Sequence, residues 1–183
     1  MLGLFLLLPV LALHARELPD YSPVLLGLAM GAYGLTQALL QIPFGRWSDR
    51  FGRKPVIAVG LALFAVGSLI GVLAQSVAML IVARSVQGAG AVSAAVSALL
   101  ADLTRPEVRT RAMAVVGASI GLSFVLALVL APVLDAVIGV PGIFVLMLVM
   151  ALSGLLLLWV AVPAEPVRSG GADSRSLAGL LEL

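Results

Sequence analysis

Cysteine is absent from this 183-residue sequence, and histidine occurs once, at His14. Without thiols there is no disulfide framework, no thiolate nucleophile and no Cys-based metal site. A single imidazole leaves metal chemistry almost without ligands, so neither a metal nor another cofactor is expected. Charge is scarce too. Only 11% of residues are charged and 62% are hydrophobic, with a mean hydropathy of +1.19. That balance excludes a fold whose main solvent is water. Segments of about ten residues alternating apolar and polar, the mark of a membrane barrel, are missing as well. What is present is a series of long apolar runs, each near the roughly 20 residues that cross hydrocarbon. Short clusters holding most of the Arg, Lys, Asp, Glu and Pro separate them. The expected fold class is all-α, a polytopic membrane helix bundle embedded in a lipid bilayer.

Six spans are expected: Met1 to Leu13, Pro23 to Phe44, Pro55 to Leu73, Val77 to Ala101, Ala112 to Leu134 and Gly142 to Val162. The first is too short to cross without tilt or thinning of the bilayer, which suggests residues before Met1. No basic n-region precedes it, as a secretory signal peptide requires. After Pro163 the chain turns small and polar. Residues 1–163 therefore form the expected bundle and residues 164–183 a cytoplasmic linker, the start of a segment leading to a further part. The net charge of +2 does not point to nucleic acid, because nearly all basic residues flank apolar spans. Arg46, Arg50, Arg53, Lys54, Arg105, Arg109, Arg111, Arg168 and Arg175 fall on one side, nine of the eleven. By the positive-inside rule both termini are expected in the cytoplasm. Trp159 and Tyr21 are either interfacial anchors or ordinary packing.

The loop after the second span reads Gly45-Arg46-Trp47-Ser48-Asp49-Arg50-Phe51-Gly52-Arg53-Lys54-Pro55. Gly45 and Gly52 suit a tight return needing positive φ, and Pro55 suits a first helical turn. The spacing G-x-x-x-D-R-x-G-R-K between two spans resembles the signature loop of the major facilitator superfamily. The fourth span adds Arg84-Ser85-Val86-Gln87-Gly88-Ala89-Gly90, which resembles that family's R-x-x-Q-G-x-G motif at the position the family uses. Tyr33-Gly34-Leu35-Thr36-Gln37-Ala38 with Gln41-Ile42-Pro43-Phe44, and Leu100 to Arg105, look closest to the YajR-type bacterial efflux transporters. The likeness covers the first six of the family's twelve helices. One departure is Ala131-Pro132-Val133, where the antiporter branch ends its fifth helix in Gly-Pro.

The resemblance implies a 3+3 inverted repeat, in which Pro43, Asp49, Gly52 and Pro55 are expected to correspond to Pro132, Asp135, Gly139 and Pro141. It also implies alternating access, proton-coupled efflux of small or drug-like molecules across a bacterial inner membrane, and a missing C-terminal six-helix half as partner. Uptake of a small metabolite and a non-transporting scaffold are the alternatives. From the same likeness Gly45, Asp49, Arg50, Gly52, Arg53, Lys54 and Asp102 form an inner-gate network.

From the residues themselves, Tyr33, Gln37 and Gln41 make one stripe with Thr36 beside it, either lining a cavity or bonding between helices. Glycines four apart, at 27 and 31, 67 and 71, and 117 and 121, are expected to let helices pack closely. Arg84 lies about 10 Å into its span. It either snorkels to the outer surface or faces the interior with Gln87 and Gly88, in substrate or proton coupling; the interior is the reading taken. Gly117-Ala118-Ser119-Ile120-Gly121 fits the G-x-S-x-G pattern of hydrolases. With no His in reach of Ser119, catalysis is not expected.

Overall fold

The computed structural model describes residues 2–90 and 92–162. The expected linker, 164–183, lies outside the described residues. The helices run in the order α1 (Leu2–Ala15), α2 (Pro23–Phe51), α3 (Arg53–Val72), α4 (Val77–Ala89), α5 (Ser93–Leu103) and α6 (Pro106–Ala161), with no strand among the described residues. At 56 residues, α6 would be about 84 Å long at 1.5 Å per residue, against roughly 30 Å of hydrocarbon. It does not run straight: Gly139, at φ 66° and ψ 177°, breaks it into residues 106–138 and 140–161. The helices α4 and α5 together make one pass. Four stretches are thus long and apolar enough to cross a membrane, the last of them broken at Gly139, and α1 is a shorter apolar helix beside them; the described residues form an all-α membrane helix bundle.

Local chemistry sets the helix ends. The Ser22 Oγ accepts from the Leu25 amide at 3.1 Å and Pro23 opens α2. Ser76 does the same for α4, accepting from Met79 N at 3.1 Å. Such caps satisfy amides that have no partner in the first turn. The Asp20 carboxylate, from the loop before α2, supplies a further cap across the sequence, accepting from Val77 N at 2.7 Å and Ala78 N at 3.0 Å. These two bonds hold its carboxyl below the usual carboxylate range. Among the described residues, only Gly52 (φ 93°) and Gly139 (φ 66°) have positive φ. They occupy corresponding reversals, after the second and the fifth pass.

Several boundaries differ from those expected. The second helix continues through the signature loop to Phe51, so the return is made at Gly52 alone. Gly45 is helical, and a Cβ there would meet nothing within 4 Å; its role is not a tight turn. The fourth pass is not one helix. It is interrupted between Ala89 and Ser93, with Gly90 at φ −73° and ψ 40° closing α4 through a bond from its amide to the Gln87 carbonyl.

Packing places α1 on α6, α2 on α4, and α3 against both α4 and α6. One core joins Leu6, Leu7, Val10 and Leu11 of α1 to Leu80, Ala127, Ala131, Ile143, Phe144 and Met147. Ala131 is fully buried there. A second core, at the cation-rich end, joins Phe44, Val56, Ile57, Ala95, Leu99 and Leu158. The outer surface is apolar, with Val160 78% and Val137 76% exposed, as expected where hydrocarbon is the solvent. The glycine pairs divide. Those at 67 and 71 pack closely, whereas Gly27, Gly31, Gly117 and Gly121 meet nothing within 4 Å, so the packing expected for the latter is not made within the described residues.

Candidate functional site

The most polar point of the interior is on α4. Arg84 is 1% exposed and Gln87 is fully buried, so Arg84 does not snorkel. Arg84 Nη1 donates to Gln87 Oε1 at 3.0 Å, Gln87 Nε2 donates to Ser68 Oγ at 2.9 Å, and Ser68 Oγ donates to the Phe64 carbonyl at 2.8 Å. A continuous line of hydrogen bonds therefore ties α4 to α3. On the other side the guanidinium lies 4.8 Å from the centroid of the Tyr33 ring, a cation–π contact with α2. The Arg84 Nε is buried with no hydrogen-bond partner among the described residues.

The absence of side chains makes this arrangement possible. A Cβ on Gly67 would sit 2.6 Å from Gln87 N, and one on Gly88 would sit 2.3 Å from the Tyr33 carbonyl oxygen. Thus α4 is pressed between α3 and α2 with backbone on backbone. A cleft of about 180 Å³ opens beside this crossing, lined by residues that include Tyr33, Gln37, Phe64, Ser93, Met147 and Met150. Gly90, at the α4–α5 interruption, also borders it. Of the four-residue stripe on α2, Tyr33 and Gln37 reach the cleft. Thr36 instead packs at Gly88 and donates to the Ala32 carbonyl at 2.7 Å, and Gln41 is exposed away from the cleft.

A second polar cluster closes the cation-rich end. Arg53 Nε donates to Asp102 Oδ2 at 3.1 Å, and Arg53 Nη1 bonds Ser48 Oγ at 2.7 Å and also Asp49 Oδ1. Arg53 thereby links the ends of α2, α3 and α5. Lys54 points elsewhere: its Nζ donates to the Val162 carbonyl at 2.6 Å and lies 5.1 Å from the Trp159 ring centroid. It caps the C-terminal end of α6, where a cation is favoured by the unpaired carbonyls.

The family model of the Major Facilitator Superfamily matches residues 1–181. The chain belongs to this superfamily. It is 54% identical over 95 residues to the inner membrane transport protein YajR of Escherichia coli K12, covering 52% of this chain and 21% of that protein. It is 40% identical over 83 residues to multidrug resistance protein D of the same organism, covering 45% and 21%. Multidrug resistance protein 1 of Bacillus subtilis 168 is 34% identical over 90 residues, covering 49% and 23%. The matched segment thus spans between a fifth and a quarter of the length of these three relatives. The superfamily is one of membrane transporters rather than enzymes. Ser119, the one serine of a hydrolase-like pattern, lies mid-helix and donates to the Val116 carbonyl at 2.7 Å.

For this major facilitator chain the sequence had flagged Arg84, Gln87, Gly88 and Gly90 but not Ser68, Phe64, Ser93, Met147 or Met150. Ser68 carried a usable signal, as a hydroxyl one residue after Gly67 in an apolar span. The methionines carried none, since Met is an ordinary gap-filler in apolar packing.

Proposed function

We propose that the protein is a proton-coupled exporter of small amphipathic molecules, working by alternating access, with this bundle forming one wall of the path. The observation that carries the reading is the buried Arg84 line beside the cleft. An intramembrane cation held by neutral partners, with one donor still open, is suited to receive a carboxylate or a substrate acceptor as the transport state changes. The cleft's surroundings are mostly apolar and aromatic, with Tyr33, Gln37 and Ser93 as the polar points, which fits an amphipathic substrate rather than a sugar. Broken helices at binding sites are a general feature of secondary transporters, and the α4–α5 interruption borders this cleft. Both termini lie on the cytoplasmic side in this reading, because the cations gather at one end. There Asp49, Arg53 and Asp102 form a gate that holds the outward-facing state.

The test uses inverted vesicles carrying the full-length protein, with ethidium as the probe and an internal pH dye. Saturable ethidium uptake that dissipates an imposed proton gradient is expected. Arg84→Ala abolishes both signals, and Arg84→Lys impairs them nearly as much because it lacks the planar fork. Normal coupled flux in both variants overturns the role of Arg84. Ethidium uptake without proton movement overturns the coupling.

A further inference from the structure

Tyr33 belongs to two places at once. It borders the cleft together with Gln37, Phe64, Ser93 and Met150, and its ring centroid lies 4.8 Å from the guanidinium of Arg84. Arg84 is not among the described residues that border the cleft, and it is 1% exposed. Its charge therefore stands behind Tyr33, out of reach of anything in the cleft. The other contact of the guanidinium is neutral: Nη1 donates to Gln87 Oε1, while Nε has no hydrogen-bond partner among the described residues. Both ion pairs among those residues belong to Arg53. A cation buried in this way is costly until an acceptor reaches its open donor.

The main chain of Tyr33 is fixed, while its ring has room to turn. The Tyr33 carbonyl oxygen accepts from Thr36 Oγ1 at 3.2 Å, and a Cβ on Gly88 would approach that oxygen to 2.3 Å, so α4 abuts α2 at this point. The side chain is only half-buried, and the cleft of about 180 Å³ lies beside it. Aromatic side chains in a helix choose between χ1 near 180° and −60°, which gives the ring a second position.

We propose that Tyr33 is a shutter, a positioning residue whose ring covers the Arg84 guanidinium and uncovers it to the cleft by a change of rotamer. A desolvated cation–π contact and a hydrogen bond to a charged group are of similar strength. An acceptor that enters the cleft can therefore replace the ring on the guanidinium, at the open Nε, without a large cost. Access to the buried charge is controlled by one side chain and requires no movement of α4. The proposal rests on the reading of the cleft as the place where substrate lies, and it adds the residue that decides when the charge is met.

The test reads exposure of the charge without any transport step. The purified chain in bicelles is treated with phenylglyoxal, which modifies guanidinium groups, and the rate at Arg84 is followed by peptide mass mapping against that at the exposed Arg109. In the parent chain Arg84 should react more slowly than Arg109 by about tenfold or more. Tyr33→Leu keeps an apolar side chain but removes the ring, and should raise the rate at Arg84 by about tenfold. Tyr33→Phe keeps the ring and should stay near the parent value. Gln37→Ala opens the same cleft one turn further along α2 and should not raise the rate. If Tyr33→Leu loses its helical circular dichroism, Tyr33→Met takes its place with the same expectation. Equal rates at Arg84 and Arg109 in the parent chain overturn the shutter without recourse to a variant. An unchanged rate in a folded Tyr33→Leu chain overturns it too, as does a rise of the same size in Gln37→Ala, the sign of general loosening. If Tyr33→Leu exposes Arg84 as expected while the full-length protein moves no ethidium, the exporter reading falls and the shutter stands.

Discussion

Replacing Gly88 by alanine should destabilise the bundle, while the same change at Gly117 should not. At Gly88 a Cβ would stand 2.2 Å from Thr36 Oγ1 and 2.3 Å from the Tyr33 carbonyl oxygen. The Tyr33 oxygen is backbone and cannot turn aside, and Thr36 is held by its bond to the Ala32 carbonyl, so α4 must move off α2. Overpacking of this kind costs about 3 kcal/mol at the upper end of its range. Alanine returns about 1 kcal/mol through helix propensity. The net loss is about 2 kcal/mol, or about 30-fold in the unfolding equilibrium. At Gly117 a Cβ meets nothing within 4 Å, so only the propensity gain of roughly 0.5–1 kcal/mol remains. Reversible unfolding of the purified chain in bicelles by titrated SDS, followed by tryptophan fluorescence, measures both. Opposite signs are expected. A neutral or stabilising Gly88→Ala would refute the close crossing of α2 and α4 on which the cleft depends.

Gln87→Leu should cost about 1.5–3 kcal/mol, since it strips a charged donor of its acceptor, whereas Ser68→Ala should cost about 1 kcal/mol; the same SDS titration ranks them. Asp20 has a folded pKa below its unfolded value near 3.9, so the stability it adds is present above that pH and is lost as pH falls through the depressed value. The advantage of the parent chain over Asp20→Asn should therefore be flat at neutral pH and vanish in acid, and a pH-independent difference would contradict the cap. Asp102→Asn should reduce transport by the full-length protein while leaving its helical circular dichroism intact, because the Asp102 pair with Arg53 is partly exposed and adds at most about 1 kcal/mol. With no native cysteine to remove, Gln75→Cys should label from the outside of cells and Thr110→Cys only after permeabilisation; the reverse pattern would invert the proposed topology.

The passes themselves were legible because hydrocarbon imposes a length and an apolar composition that no local detail overrides. Arg84 and Gln87 stood out for the same reason, as the polar residues of an otherwise apolar span. What the sequence concealed was where polar runs stay helical. Residues 45–51 look like a loop by charge, yet helix formers such as Arg46, Trp47 and Arg50 continue α2 at no backbone cost until Gly52 reverses it. The interruption after Ala89 was concealed for the opposite reason, since Gly90 followed by small apolar residues is compatible with a continuous span. Gln41 was misplaced by a helical stripe that is straight on paper, although only Tyr33 and Gln37 lie at the height of the cleft. Asp20 was missed because its two bonds join residues 57 and 58 positions away, a distance that no local capping pattern reveals.

The central claim is that the cleft beside Arg84 is where substrate lies, and accessibility of a single cysteine at Gln37 tests it most directly. In the full-length protein with Gln37→Cys as its only thiol, a water-soluble methanethiosulfonate should label the position, and ethidium at saturating concentration should slow that labelling. Gln41→Cys, off the cleft, should show no ethidium protection. Absence of labelling at Gln37→Cys, or labelling that ethidium leaves unchanged, would contradict the claim.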